Sequence, residues 1–135
     1  DAEGFGLATL ESLSCETPVI VTMTGGLQEQ VTDGENYFGI GLEPSSKAII
    51  GSQLVPFIYE DRLNGADVSE AMLKMYNMTP EERSKLGTDG RAHVAKNYNF
   101  QDYKKKWADL MLQIYEQHGS WENRKNYKSW ELSEV

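Results

Sequence analysis

The sequence predicts an α/β fold in which a parallel β-sheet is flanked by helices and followed by a helical C-terminal segment. Two short runs of β-forming residues, 18–23 and 37–42, alternate with segments of helical periodicity. This alternation favours a parallel sheet, because parallel strands need a crossover between them that is usually a helix. After residue 66, apolar residues recur at three- and four-residue spacing, which is typical of amphipathic helices.

The first element is a helix predicted over residues 7–14. Leu7, Leu10 and Leu13 recur at three-residue steps, and Thr9 falls outside this series. Such spacing places the three leucines on one side of a helix. We therefore expect this side to be the buried one.

Two predicted strands follow, with a short helix between them. The first strand lies behind a proline and is rich in β-branched residues, which is typical of a buried parallel strand. Glycines and an Asp-Gly turn mark the ends of these elements. In chain order the pattern predicts a strand over 18–23, a break at Gly25 and Gly26, a short helix over 27–31, a turn over 32–34 and a second strand over 37–42.

Residues 43–66 are predicted to form an ordered insertion. The runs 48–50 and 55–59 make the segment too apolar for a disordered loop. Two interpretations stay open. The insertion either packs on its own domain or shapes a surface for a substrate or a partner.

The next predicted helix begins near Ala66 and ends near Tyr76, with Val68, Met72 and Leu73 on the same face as Tyr76. These residues form the apolar face of the predicted helix.

A strong helix start follows at Thr79, where Pro80 suits the first helical position and Glu82 completes a capping box. This helix is expected to stop near residue 86, to break at 87–90 and to resume over 91–96. The last and longest helix is predicted over 100–117, with Trp107 in the core and Gly119 as its end.

Composition limits the class of protein. The chain has 135 residues and a net charge of -8, from 13 basic and 21 acidic residues. This balance argues against binding to nucleic acid or to an anionic membrane surface. No apolar run reaches the roughly 18 residues of a transmembrane segment. The single cysteine, Cys15, fits a reducing, cytoplasmic setting.

No metal site is predicted from the two histidines. His93 and His118 have no acidic or cysteine partner at ligand spacing, and both fall in helical segments. We expect both to lie on helix surfaces.

The chemistry is concentrated in the first eleven residues. Glu3 and Glu11 bracket a glycine-rich turn and a helix start. A helix that begins near Gly6 or Leu7 directs unpaired N–H groups and a partial positive charge at a ligand, which suits a phosphate. The two carboxylates can accept hydrogen bonds from hydroxyl groups. A phosphate flanked by hydroxyl-bearing rings describes a sugar nucleotide.

The same stretch resembles the E-x₇-E region of retaining glycosyltransferases with the GT-B fold. The family pattern appears here in register over roughly the first 42 residues, as Glu3-Gly4-Phe5-Gly6-Leu7, Glu11, residues 14–20, Gly25-Gly26 and Asp33-Gly34. The resemblance implies a partial Rossmann-like parallel sheet, the C-terminal half of GT-B. It implies transfer of a sugar from a nucleoside diphosphate sugar, such as a UDP- or GDP-sugar, to an acceptor, with no further cofactor.

The resemblance also implies roles for residues. Glu3, the predicted catalytic-site residue, would bind hydroxyls of the donor sugar, and Glu11 would bind the ribose hydroxyls. Backbone N–H groups would be offered to the sugar and the diphosphate by Gly4, Phe5, Gly6 and Leu7, with the Phe5 side chain packing rather than stacking on the ligand. For Gly25 and Gly26, binding and a purely structural turn both stay open. Glu29 resembles an acidic family residue, and we assign it no chemistry.

Two residues after the first helix bear on the resemblance. Cys15 occupies the small buried position of the family, so a catalytic thiol is not predicted. Glu16 stands where the family has glycine, and glycine suits the left-handed conformation that often ends a helix. The end of the helix is therefore expected to differ.

The domain expectation is a partial nucleotide-sugar-binding domain over 1–118 and a polar tail over 119–135. Trp121, Tyr127 and Trp130 interrupt the tail, and the two tryptophans would pack back on the domain or dock on the N-terminal domain of the family. The resemblance implies that this acceptor-binding domain and the upstream strands are missing. We expect an inactive fragment that self-associates through an exposed sheet edge.

Alternatives stay open. The chain could be a non-catalytic α/β module that binds a nucleotide or a partner protein, or part of a GT-B-fold epimerase or phosphorylase. The base, the sugar, the acceptor and the stereochemical outcome are also open.

Overall fold

A computed structural model describes residues 4–126 and confirms the α/β class. The helices are α1 (Leu7–Ser14), α2 (Leu27–Val31), α3 (Gly65–Asn77), α4 (Pro80–Asn97) and α5 (Phe100–His118). The strands are β1 (Val19–Thr22), β2 (Gly39–Leu42), β3 (Ser46–Ile50) and β4 (Ile58–Arg62). The predictions made for Glu3, Tyr127 and Trp130 lie outside the described residues.

The chain divides into two compact units between Asn97 and Tyr98. The first contains a parallel pair of strands, in which β1 runs beside β2 from Val19 opposite Gly39 to Thr22 opposite Leu42. Helix α2 makes the crossover between them, as the alternating pattern predicts. Just beyond β1, the Met23 N–H donates to the carbonyl of Leu42 at 2.8 Å, so the carboxyl ends of both strands meet at one edge.

The predicted insertion contains an antiparallel hairpin. Strand β3 pairs with β4, and the hairpin is attached beside β1 by the Thr24 hydroxyl, which donates to Asp61 Oδ2 at 2.6 Å. The apolar residues between the strands face solvent, with Leu54 92% and Phe57 75% exposed. The hairpin therefore does not bury its apolar end within the described part of the chain.

The predicted buried side of α1 is only partly correct. Leu10 and Leu13 are buried, but Leu7 is 66% exposed and the polar Thr9 is buried instead. Helix α4 packs against the C-terminal half of α1, near Leu13 and Glu16. The first turn of α1 lies away from that contact, which explains why Leu7 stays exposed.

The break predicted at 87–90 is wrong, because α4 runs without interruption through both glycines. A Cβ atom at Gly87 would lie 2.0 Å from the carbonyl oxygen of Glu16, and one at Gly90 would lie 2.7 Å from Leu13 Cδ2. The glycines thus allow α4 to approach α1 closely. Close packing, rather than chain reversal, is the reason for glycine at these positions.

Helix α1 ends in a left-handed residue although glycine is absent there. Glu16 has φ 59°, and the N–H of Thr17 donates to the carbonyl of Ser12 at 2.9 Å. The Arg91 side chain of α4 pairs with Glu16 Oε1 at 3.1 Å. The expectation that this helix end would differ is therefore wrong, because Glu16 adopts the left-handed conformation that usually favours glycine.

The apolar face of α3 is largely exposed. Met72 and Leu73 are each 60% exposed and Tyr76 is 81% exposed, whereas the buried residue is Ala71. Helix α3 contacts β2, so the packed face centres on a small residue that apolar spacing alone undervalues.

His93 is buried, contrary to the prediction of a surface residue. Its ring stacks on Phe38 with 4.5 Å between the centroids, and Nε2 lies 3.0 Å from the carbonyl oxygen of Glu29. Because a carbonyl can only accept, Nε2 donates, and Nδ1 then accepts from the amide of Asn97 at 3.0 Å. His93 therefore joins α4 to α2. His118 is exposed at the end of α5, as predicted.

The second unit is built around α5. Asn99 caps its start, accepting from the N–H of Asp102 at 2.8 Å, and Gly119 ends it with φ 76°, as predicted. Within this unit Trp107 is 54% exposed, so its predicted core position is wrong. Trp121 is 84% exposed, and within this unit the Arg124 guanidinium lies 3.7 Å from the centroid of its ring.

No helix between residues 4 and 126 is both long enough and apolar enough to span a membrane.

The turn between α2 and β2 depends on an ionised carboxylate. Asp33 Oδ1 accepts the N–H of Asn36 at 2.7 Å and that of Glu35 at 3.0 Å. Together with the Asn36 side chain, these bonds lower the pKa of Asp33 from 3.8 to about 2. The folded state therefore favours the charged form.

We expect acid to weaken this turn. The stabilisation is complete above the unfolded pKa of 3.8 and is lost as the pH falls through the folded value of about 2. The Asp33→Asn variant lacks the charge at every pH. Its unfolding free energy is therefore lower than that of the parent above pH 3.8, and the difference between the two becomes smaller as the pH falls toward about 2. Urea unfolding at several pH values measures the difference. A difference that stays constant with pH contradicts the prediction.

Candidate functional site

The glycine-rich loop of residues 4–6 leads directly into α1. Gly6 has φ 84° and ψ 54°, and its carbonyl accepts from the N–H of Thr9 at 3.1 Å. A residue with a Cβ atom is disfavoured in this left-handed conformation. The loop thus turns sharply into the helix, which begins at Leu7 as the sequence predicts.

The start of α1 is suited to an anion. The first N–H groups of a helix have no acceptor within it. Among the described residues, the N–H groups of Leu7 and Ala8 donate to no acceptor. Both residues are exposed, and the first turn carries no acidic side chain. The positive end of the helix dipole is therefore available to a negatively charged ligand.

The second glycine pair supports this loop from the adjacent strand end. The N–H of Gly26 donates to the carbonyl of Gly4 at 3.2 Å. A Cβ atom at Gly26 would lie 3.0 Å from the carbonyl oxygens of both Gly4 and Phe5. Gly26 therefore has a structural function here. Gly25 is exposed with φ 49°, and ligand binding by Gly25 stays a prediction.

Gln30 of α2 also holds the loop, and sequence reasoning missed it. Its side chain is fully buried, and its Nε2 donates to the carbonyl of Phe5. A signal was present, because Leu27, Gln30 and Val31 have the spacing of one helix face. A polar residue among apolar ones on a buried face is expected to have a specific partner.

The remaining predicted site residues lie at or near the same turn. Glu11 is exposed one turn after Leu7, so both are on the same side of α1. The Phe5 side chain, expected to pack, is 51% exposed. Cys15 is exposed at the end of α1, not buried as the resemblance implies. In residues 4–126, no cluster of three or more His, Cys, Asp or Glu side chains could hold a metal ion.

The site lies at the carboxyl edge of the parallel strands. The chain leaves β1 and forms the glycine pair, which contacts residues 4 and 5. Ligands of open α/β sheets bind at this edge. A parallel pair with a glycine loop and a helix start at its carboxyl edge is the arrangement of part of a Rossmann-like domain.

Residues 1–54 match the family model described as glycosyl transferases group 1. The match agrees with the resemblance over this range, so the first part of the chain is similar to the glycosyl transferases group 1 family. The site residues named above all fall inside the matched range.

Curated relatives agree with this class. The chain is 39% identical over 82 residues to a D-inositol 3-phosphate glycosyltransferase of Acidothermus cellulolyticus, covering 59% of this chain and 18% of the relative. An uncharacterized glycosyltransferase of Methanocaldococcus jannaschii is 33% identical over 90 residues, covering 67% and 20%. A D-inositol 3-phosphate glycosyltransferase of Arthrobacter is 34% identical over 70 residues, covering 52% and 16%. The chain spans about a fifth of the length of these relatives.

Proposed function

We propose that this chain is the donor-binding part of a glycosyltransferase that moves a sugar from a nucleoside diphosphate sugar to an acceptor. The observation that carries the proposal is the glycine loop of residues 4–6, which Gly26 and Gln30 hold in place in front of the unpaired N–H groups of α1. This loop lies inside the region that matches the family. Neither the loop nor the match would suffice alone, because a helix start binds many anions.

The diphosphate would lie at the start of α1. There the N–H groups of Leu7 and Ala8 would donate to its oxygens. When the bond from the sugar carbon to the diphosphate oxygen breaks, the electron pair stays on the diphosphate. The helix start would then stabilise the negative charge that develops on this leaving group.

The carboxylates would bind the parts of the donor on either side of the diphosphate. Glu11 lies on the exposed side of α1, one turn into the helix, and would accept hydrogen bonds from the two ribose hydroxyls. Glu3 would accept hydrogen bonds from hydroxyls of the sugar, next to the bond that breaks. A carboxylate is suited to both functions because its two oxygens accept without competing donors at neutral pH.

We expect Glu11→Ala to weaken the binding of UDP, GDP or ADP, whichever the chain binds, by about ten- to a hundredfold. A hydrogen bond to a charged group contributes about 1.5–3 kcal/mol, and each 1.4 kcal/mol is about tenfold in affinity. Isothermal titration calorimetry with the three nucleotides measures the change.

The matched control is Glu70→Ala, which removes an exposed helical carboxylate from α3. This variant should bind like the parent. Equal affinities of the Glu11 and Glu70 variants would count against the proposed ribose contact. That the isolated chain has no transferase activity stays a prediction, and turnover of a sugar nucleotide would contradict it.

A further inference from the structure

The glycine loop is held from two sides. On one side the backbone of Gly26 donates to Gly4. On the other side the amide of Gln30 donates to the carbonyl of Phe5. The first contact is between backbone atoms, whereas the second depends on one side chain.

Packing alone does not explain an amide at position 30. The Gln30 side chain is fully buried, and within the described residues its Oε1 has no hydrogen-bond partner. A buried acceptor without a partner is unfavourable, so an apolar residue of the same length would fit the surroundings better. The bond to Phe5 is the feature that an apolar residue would lack.

Gln30 also lies against the residue that sets the turn. A Cβ atom at Gly6 would be 3.0 Å from Gln30 Oε1 and 3.5 Å from Nε2. The side-chain amide of Gln30 therefore lies beside the Cα atom of Gly6, and its nitrogen donates to the preceding carbonyl, that of Phe5. Gln30 therefore contacts the loop at two successive residues, Phe5 and Gly6.

We propose that Gln30 is a positioning residue, which orients the loop of residues 4–6 so that the start of α1 is aimed at the diphosphate. The inference rests on the proposed donor-binding function for its last step only. The loop-holding step is a statement about this chain with no ligand bound.

The test uses the whole chain and two variants of nearly the parent shape. Gln30→Met keeps the length of the side chain and lacks the donor. Gln30→Glu keeps the shape, but a carboxylate cannot donate until it is protonated. Gln28→Met is the control, because Gln28 lies exposed on the same helix.

Two readouts are compared. Amide hydrogen exchange at Thr9, Leu10 and Gly26 reports how well the loop is held, because their N–H groups donate to the loop carbonyls of Gly6 and Gly4. Calorimetry with UDP, GDP and ADP measures nucleotide binding. We expect Gln30→Met to exchange faster at these residues by about fivefold and to bind nucleotide more weakly by a similar factor, as for the loss of one hydrogen bond. Exchange in α4 should not change.

The Gln30→Glu variant separates positioning from general packing. We expect its loop exchange, corrected for the intrinsic pH dependence, to return toward the parent value as the pH falls and the buried carboxyl gains a proton. A packing defect would show no such recovery. Burial disfavours the charged form, so this recovery occurs above the ordinary glutamate range.

The inference is overturned if Gln30→Met and Gln28→Met exchange alike at Thr9, Leu10 and Gly26, or if Gln30→Glu shows no recovery. If the loop loosens as expected but the parent chain binds none of UDP, GDP and ADP, then the donor-binding function fails while the holding of the loop by Gln30 stands. The two failures are therefore distinguishable.

Discussion

Replacing Gly87 with alanine is expected to destabilise the fold by about 2 kcal/mol, although alanine favours helices over glycine by about 1 kcal/mol. The new Cβ atom would lie 2.0 Å from the Glu16 carbonyl oxygen and 2.7 Å from its carbonyl carbon. Both atoms belong to the backbone, so no side-chain rotation relieves the overlap. Helices α1 and α4 must move apart, and overpacking of this kind costs roughly 1–3 kcal/mol or more.

Gly65→Ala is the matched control for this experiment. Gly65 begins α3, and a Cβ atom there would meet no atom within 4 Å. Its unfolding free energy should stay within about 1 kcal/mol of the parent value. Urea unfolding of the two variants gives the comparison. If Gly87→Ala and Gly65→Ala have the same unfolding free energy, the result contradicts a close approach of α4 to α1 at Gly87.

Gly6→Ala is expected to have the largest effect on the candidate site. The residue has φ 84°, and its Cβ atom would lie 2.4 Å from Leu27 Cδ2 and 3.0 Å from Gln30 Oε1. The left-handed backbone alone costs about 1–2 kcal/mol for a residue other than glycine. The overlap adds to this, so the loop must change its conformation. If the start of α1 binds the diphosphate as proposed, we expect nucleotide affinity to fall by more than about tenfold, since the misplaced N–H groups would no longer face it.

Gly34→Ala separates backbone strain from overlap. Gly34 has φ 96°, but a Cβ atom there would meet nothing within 4 Å, and the residue lies in the turn that precedes β2. This variant should lose the strain energy alone and bind nucleotide like the parent. Calorimetry and urea unfolding of both variants provide the measurements. If Gly6→Ala and Gly34→Ala lose the same nucleotide affinity, the result would show that the nucleotide does not bind at the Gly6 loop.

The local elements could be predicted because their signals are local. Helix α1 begins at Leu7, where a glycine turn precedes an apolar series, and β1 lies behind Pro18 as expected. The capping box is formed, with Thr79 and Glu82 exchanging hydrogen bonds at 3.2 and 2.7 Å. These outcomes depend on residues within one turn or one strand, and a sequence states them directly.

The wrong predictions for α4 and for His93 have the same cause. The sequence around Gly87 and Gly90 indicates a break, but in the structure these glycines pack against α1 and its end. The sequence around His93 indicates an exposed residue, but its ring stacks on Phe38 and lies within hydrogen-bonding distance of the Glu29 carbonyl. In each case the deciding partner is distant in the sequence. Periodicity describes one helix at a time, so it cannot tell which face meets a neighbour.

The same division holds for the candidate site. The sequence by itself determined the glycine turn, the helix that follows it and the family to which the first 54 residues are similar. Only the tertiary structure decided how the turn is held, because Gly26 and Gln30 reach it from beyond β1. A loop has no periodic pattern, so its conformation is set by the atoms that pack around it.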